Sequence, residues 1–124
     1  EFVLRRHILQ VRYHQMLPDL PLILPHQSKN SYSALHLYPI QIDLDNIKMT
    51  HSQVFENLRK NGLGVNLHYI PVHTQPYYQN MGFEVGDFPN AENYYNRAIS
   101  IPLFYGMTFD QQDEVVRVLT DVLI

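Results

Sequence analysis

The sequence has no cysteine, no tryptophan and no long apolar run among its 124 residues. Without cysteine, the chain has no disulfide framework, no thiolate nucleophile and no zinc–thiolate site. No apolar run reaches the roughly 20 residues that a membrane-spanning helix needs, and the first residues do not have the pattern of a signal peptide. Positive charge is also scarce, since the formal net charge is −3 and the isoelectric point is about 6.1. We therefore expect no nucleic acid or membrane partner, and a cytoplasmic setting fits.

What the sequence does contain is typical of one globular domain. Hydrophobic residues make up 45% of the chain and charged residues 17%, with 9 tyrosines and 6 phenylalanines. This composition is too apolar and aromatic for a disordered chain. A chain of this length can bury one sizeable core.

Residues 1–17 are predicted to form an amphipathic helix that ends at Pro18. Its apolar side consists of Phe2, Leu9, Tyr13, Met16 and Leu17. The chain starts at Glu1 rather than at methionine and enters this helix at once. We therefore expect it to be either a processed piece or part of a longer protein.

Two further helices are predicted from capping boxes, in which a threonine N-cap is followed three residues later by glutamine. The first pair is Thr50 and Gln53, and its helix should end at Asn61-Gly62, where glycine can take the left-handed conformation. The second pair is Thr108 and Gln111, which begins the last helix. A shorter helix is predicted over residues 90–97.

Residues that favour β-structure predict strands over 32–43, 65–70 and 99–103, with a short extended piece at 22–24. An aromatic connector covers 71–89, and connectors of this length are usually functional or disordered. The order of helices and strands predicts a small α/β (α+β) fold, in which helices pack on a short sheet.

Residues 68–78, here called the aromatic segment, are the densest run of potential ligand-binding side chains. The segment carries two imidazoles and three phenols, which can hydrogen-bond hydroxyl or phosphate oxygens and stack on a base or sugar. The alternative is structural: Tyr77 and Tyr78 would be partly buried anchors, and His68 a strand histidine with its hydrogen bonds satisfied. Both interpretations stay open from the residues alone, although recognition residues concentrate on loops.

The residues do not indicate a metal site, a nucleophile or a Schiff-base lysine. His68 and His73 have no third ligand at a diagnostic spacing, so we expect no metal site. No serine lies in a nucleophile motif, and no glycine-rich phosphate loop occurs. The three lysines, Lys29, Lys48 and Lys60, have no apolar setting that would favour Schiff-base chemistry. The residues alone therefore predict a binding module or subdomain with no catalytic residues.

Several spaced motifs resemble the C-terminal domain of the DegT/DnrJ/EryC1/StrS sugar aminotransferases. They are Gly64-Val65-x-x-His68-Tyr69-x-Pro71-x-His73-x-Gln75-Pro76-Tyr77-Tyr78, then Gly86-Asp87-Phe88-Pro89-Asn90-Ala91-Glu92, and Ile101-Pro102-Leu103. His36-Leu37-Tyr38-Pro39 matches the first strand of that domain, so the resemblance covers nearly the whole chain. Within the family, the sequence is most similar to the transaminases of pseudaminic acid biosynthesis, which act on a UDP-4-keto-6-deoxy-N-acetyl sugar.

The resemblance implies the fold of the type I aminotransferases, with residues 1–17 as the linker helix from a missing large domain and 18–124 as the small C-terminal α/β domain. The parent would be a homodimer that moves an amino group from glutamate to the UDP-sugar, with pyridoxal phosphate held on a lysine of the large domain. None of the lysines here matches the motif around that lysine. The resemblance thus implies no cofactor on this fragment and no transamination by it alone.

Carried over by position, His68 and Tyr69 match the family's His-Tyr pair and are expected to contact the diphosphate or the sugar. His73 and Tyr77 follow in the same segment as further substrate-binding candidates. The competing hypothesis is an autonomous binding or assembly module without catalytic activity, in which the aromatic segment docks a partner chain.

Overall fold

A computed structural model describes residues 1–124, and helices account for both ends of the chain. The helices are α1 (Phe2–Met16), α2 (His51–Lys60), α3 (Pro76–Gln79), α4 (Pro89–Tyr95) and α5 (Phe109–Leu123). The strands are β1 (Leu22–Ile23), β2 (Tyr38–Ile42) and β3 (Ala98–Ile101), and a single 3₁₀ turn covers Val72–Thr74. No helix is long and apolar enough to span a membrane.

The three strands form one antiparallel sheet with β2 in the centre. Tyr38, Ile40 and Ile42 are buried, because alternate side chains of β2 point to the same face. All four residues of β3 are buried, including Ser100. The fold is therefore α+β, as the sequence predicts, although the strands are shorter than expected at 32–43 and 99–103.

The strand expected over 65–70 is wrong, since only Asn66 pairs with β3, through a single bridge to Ser100. The pairing cannot extend because the neighbouring backbone groups of β3 are already used or missing. The carbonyl of Ala98 accepts a hydrogen bond from the His51 ring at 2.9 Å. Pro102 has no N–H, and its carbonyl accepts from the Tyr13 hydroxyl at 2.8 Å. The segment therefore leaves the sheet after one residue pair.

Both capping boxes are confirmed. Thr50 caps α2 and Thr108 caps α5, each accepting from the N3 backbone N–H while the N3 glutamine bonds back to the cap. Gly62 takes φ +82° immediately after α2, as the predicted glycine stop requires. These helix boundaries depend only on local residues, and this is why the sequence defines them well.

The helices α1, α2 and α5 share one core with the sheet. Leu9 and Tyr13 of α1, and Leu17 directly after the helix, are fully buried, so α1 packs into the same apolar cluster as β2, β3, α2 and α5. Burial raises the pKa of the Tyr13 hydroxyl, which donates to the Pro102 carbonyl. The predicted apolar side of α1 is only partly right, because Phe2 is exposed and Met16 is half-buried.

The connector over 71–89 contains more regular secondary structure than the loop that its sequence predicts. It contains the 3₁₀ turn and the short helix α3, whose first residue is Pro76. Proline at the first helical position has no N–H to leave unsatisfied and a φ suited to the helix. The predicted helix over 90–97 is present as α4, which likewise begins with a proline.

Candidate functional site

The aromatic segment begins two residues after Asn66, the residue that pairs with β3, and His68 remains tied to that strand through its side chain. The Nδ1 atom of His68 lies 2.9 Å from the Oγ atom of Ser100. The His68 ring meets the Tyr69 ring edge-on, with centroids 4.7 Å apart, and the peptide bond between the two residues is cis. His68 is half-buried, whereas Tyr69 is 71% exposed. The pair therefore combines a fixed imidazole with a phenol on the surface.

Tyr77 and Tyr78 differ in their surroundings. Tyr77 is 70% exposed, and its ring stands edge-on to that of Tyr78 at 5.2 Å. Tyr78 is half-buried and faces Phe83, with ring centroids 6.3 Å apart. The structural alternative of a buried anchor thus fits Tyr78, and Tyr77 is free to contact a ligand.

His73 lies inside the segment and is buried. Its Nε2 atom is 2.7 Å from the Oε1 atom of Glu92, and its ring lies 4.8 Å from that of Phe88. The same Glu92 oxygen accepts the backbone N–H of Gly86 at 2.7 Å. His73 therefore lies on the buried side of the aromatic segment, where it packs against α4.

Glu92 joins three separate pieces of the chain, namely the 3₁₀ turn, the turn at Gly86 and α4. The Gly86 N–H and then the His73 ring hold the pKa of the Glu92 carboxyl below its usual range. Both donors favour the charged form of the carboxyl, which accounts for the direction of the shift. From the sequence, Glu92 is only one position of a motif. Its spacing of six residues from Gly86 is the one signal that could have suggested a contact between the two.

Two clefts flank the His73–Glu92 pair. An apolar cleft of about 380 Å³ is lined by Val72, His73, Tyr78, Phe83, Phe88 and Ala91. A smaller cleft of about 220 Å³ has Ile70, Thr74, Glu92 and Tyr95 among its lining residues. A larger cleft of about 450 Å³ lies elsewhere, between the Gly62–Gly64 turn and the start of α5, and has Asp110 and Glu114 in its lining. The larger cleft contains none of the four predicted site residues.

The four predicted residues are not joined into one hydrogen-bonded cluster. His68 bonds to Ser100 and His73 bonds to Glu92, while the Tyr69 and Tyr77 hydroxyls have no protein partner. No group of three or more histidine, aspartate or glutamate side chains is arranged to hold a metal ion. The arrangement offers polar contacts and aromatic faces to a ligand.

The lysines do not form a site for a cofactor aldehyde. Lys29, Lys48 and Lys60 are all exposed, and none lines one of the three clefts described above. A Schiff-base lysine needs a desolvated setting or a neighbouring cation to lower its pKa. These three lysines do not fit a Schiff base with pyridoxal phosphate.

Comparisons with known proteins extend over nearly the whole chain. The model of the DegT/DnrJ/EryC1/StrS aminotransferase family matches residues 1–120. The spore coat polysaccharide biosynthesis protein SpsC of Bacillus subtilis is 37% identical over 122 residues, which cover 96% of this chain and 31% of SpsC. The chain therefore spans about a third of the length of this curated relative.

Solved structures show the same fold. Helicobacter pylori PseC, an aminotransferase involved in the biosynthesis of pseudoaminic acid, superposes with a TM-score of 0.86 at 22% identity, covering 98% of this chain and 33% of PseC. NtdA of Bacillus subtilis, with bound cofactor PMP, gives a TM-score of 0.81 at 23% identity, covering 98% of this chain and 28% of NtdA. At these identities the likeness shows the fold alone.

Proposed function

Since the chain belongs to the DegT/DnrJ/EryC1/StrS aminotransferase family, we propose that it is the C-terminal domain of a nucleotide-sugar aminotransferase and forms a wall of the sugar-nucleotide site. The observation that carries this proposal is the geometry of His68 and Tyr69. His68 is tied to β3 through one ring nitrogen, and its Nε2 atom has no protein partner. Tyr69 beside it is largely exposed.

The four candidate residues divide into two roles under this proposal. His68 and Tyr69 contact the diphosphate or the sugar, and Tyr77 offers a second exposed phenol. His73, which is 7% exposed, supports the segment from beneath through its contact with Glu92. A phosphate oxygen suits an imidazole N–H, because hydrogen bonds with a charged partner are the stronger ones.

For the parent protein we propose amino transfer from glutamate to a UDP-4-keto-6-deoxy-N-acetyl sugar. The motif of residues 64–78 supports the sugar-nucleotide class, and the fold of PseC is consistent with a sugar of the pseudaminic acid route. Pyridoxal phosphate in the parent supplies the amino-group carrier, and NtdA with its bound PMP supports that choice. The cofactor would bind residues outside 1–124.

The proposed architecture of the parent follows from the same family. Residues 1–17 would join this domain to a large cofactor domain, and residues 18–124 would form the small domain. The parent would be a cytoplasmic homodimer with its sites shared between subunits. The exposed apolar side chains Leu4, Ile8 and Val11 on α1 support a neighbour at this helix.

An assay of the parent protein tests the proposed reaction. Purified parent, glutamate and a UDP-4-keto-6-deoxy-N-acetyl sugar should give the 4-amino sugar nucleotide and 2-oxoglutarate, both detectable by mass spectrometry. A set of UDP- and dTDP-linked keto sugars would define the nucleotide preference. Absence of amino transfer to every keto sugar in the set would refute the proposal.

The alternative is a binding or assembly module that docks a partner chain through the aromatic segment. It is favoured by one observation: Tyr69, Ile70, Val72, Tyr77, Val85 and Phe88 are all exposed within one stretch of the chain. Light scattering of the 124-residue chain at increasing concentration tests self-association through this surface. A strict monomer at high concentration would count against the module.

A further inference from the structure

Ser100 is the residue that determines how His68 is held. It lies in β3 and is 6% exposed. Its Oγ atom has one hydrogen-bond partner, the Nδ1 atom of His68 at 2.9 Å. No charged group takes part in this contact, so the chemistry of the two side chains alone decides which atom donates.

The backbone of Ser100, which carries the hydroxyl, is held from both sides of the strand. Ser100 exchanges two backbone hydrogen bonds with Asn66, of 3.1 and 2.8 Å. On the other side, Ser100 lies opposite Pro39, and its neighbours Ile99 and Ile101 pair with β2. A side chain on such a doubly paired strand is a rigid reference point for the imidazole, which itself lies on a segment outside the sheet.

The hydrogen-bonding capacity of serine then selects a tautomer of His68. If Nδ1 carried the proton, it would donate to Oγ, and the buried hydroxyl proton of Ser100 would have no acceptor. If Nδ1 is unprotonated, the hydroxyl donates to it and both groups are satisfied. Leaving a buried donor without a partner is costly, so the second arrangement is favoured.

The favoured tautomer places the ring proton on Nε2, the atom without a protein partner. Nε2 is accessible, because the only buried side-chain nitrogen or oxygen atom without a partner is the Nε atom of Arg6. The neutral His68 ring therefore offers an N–H to the solvent side. Such a group recognises an acceptor oxygen and does not recognise a donor.

We propose that Ser100 is a positioning residue that holds neutral His68 as an Nε2–H donor for an acceptor oxygen of the ligand. The identification of that oxygen as part of a sugar nucleotide, in its diphosphate or a sugar hydroxyl, rests on the proposed function. The tautomer itself depends only on the geometry of β3 and His68. Tyr69, edge-on to the same ring, limits its rotation on the other side.

Nuclear magnetic resonance of the 124-residue chain tests the tautomer without any ligand. Two-bond ¹H–¹⁵N correlations of the imidazoles, recorded at mildly alkaline pH where the rings are neutral, distinguish a protonated from an unprotonated ring nitrogen. The signals of His68 are assigned by their loss in His68→Gln. We expect a pyrrole-type Nε2 and a pyridine-type Nδ1 for His68.

Ser100→Ala should raise the fraction of the Nδ1–H tautomer at least severalfold, because no hydroxyl remains to donate. Thr120→Val is a matched control, since it removes a half-buried hydroxyl whose hydrogen bond lies within α5. The control should leave the His68 signals unchanged. A protonated Nδ1 in the wild-type chain, or an unchanged tautomer ratio in Ser100→Ala, would overturn the proposal.

In the parent protein, Ser100→Ala should raise KM for the sugar nucleotide about tenfold and lower kcat much less, because binding contacts are lost in ground and transition states alike. Ser100→Thr keeps the hydroxyl and should restore KM. A KM that does not respond to the loss of the hydroxyl would contradict the positioning role. If the parent transfers no amino group at all, the proposed function fails while the tautomer result in the short chain still stands.

Discussion

At the scale of single residues, Glu92 connects the 3₁₀ turn, the turn at Gly86 and α4 behind the aromatic segment. Its carboxylate accepts from His73 and from the Gly86 N–H, two donors that are 19 and 6 positions away in the chain. Motif position places Glu92 near the start of a helix, where a carboxylate is unremarkable. Its role as the junction behind the aromatic segment depends on a fold that no local pattern determines.

The lowered pKa of Glu92 makes the stability of the domain depend on pH. A lowered folded-state pKa contributes stability above the unfolded value, near 4.5, and this contribution is lost as the pH falls through the folded value. The stabilisation that Glu92 gives the wild type over Glu92→Gln should therefore be present above the unfolded value and shrink as the pH falls below it. Urea denaturation at a series of pH values measures it.

Glu56→Gln is the control for this experiment, because the Glu56 side chain is exposed and makes no hydrogen bond or ion pair. Its free energy of unfolding should stay within about 0.5 kcal/mol of the wild type at neutral pH. A Glu92→Gln difference that is independent of pH down to strongly acidic conditions would show that the ionised carboxylate does not hold the junction.

At the scale of elements, a helix or strand is predicted correctly where its boundary depends on neighbouring residues alone. Four-residue capping boxes predict the starts of α2 and α5, and the structure confirms both. The expected strand over 65–70 has a suitable alternation, but pairing stops because His51 takes the Ala98 carbonyl and Pro102 has no N–H. A short stretch of sequence does not show that a distant residue, here His51, occupies the backbone group that a strand would need.

Gly62 and Gly64 provide a matched pair for the helix stop after α2. A Cβ atom at either position would meet nothing within 4 Å, but only Gly62 has a left-handed φ, of +82°. Gly62→Ala should lower the free energy of unfolding by about 1–2 kcal/mol through backbone strain. Gly64→Ala should be neutral or raise it by about 0.5 kcal/mol, since alanine restricts the unfolded chain.

Thermal or urea denaturation of these two glycine variants decides the point. Equal effects of the two substitutions would show that the left-handed conformation at Gly62 does not terminate α2. Neither glycine lies in the aromatic segment, so a change in the free energy of unfolding is attributed to the turn after α2.

At the scale of the whole molecule, α1 is part of the core. Its residues Leu9 and Tyr13 are 0% exposed, and the Gln112 side chain of α5 donates to the Leu9 carbonyl at 2.7 Å. The sequence predicted this helix and most of its buried residues from periodicity. The proposed role of residues 1–17 as a linker therefore adds to a structural role within the domain.

Leu9→Ala should lower the free energy of unfolding by about 2–5 kcal/mol, because it opens a cavity among fully buried side chains. Leu4, on the same helix, is 61% exposed, and Leu4→Ala should change the free energy of unfolding by less than about 0.5 kcal/mol. Chemical denaturation followed by circular dichroism measures both. If Leu9→Ala is as mild as Leu4→Ala, α1 does not fold in one cooperative unit with the sheet.

The recognition role of His68 is the central claim, and the steady-state kinetics of His68→Ala in the parent protein test it most directly. His26→Ala is the control, because His26 is exposed and its side chain makes no hydrogen bond. Loss of a hydrogen bond to a charged group costs about 1.5–3 kcal/mol, so KM for the UDP-4-keto sugar should rise about 10- to 100-fold in His68→Ala. It should stay at the wild-type value in His26→Ala. A wild-type KM in His68→Ala would contradict the account.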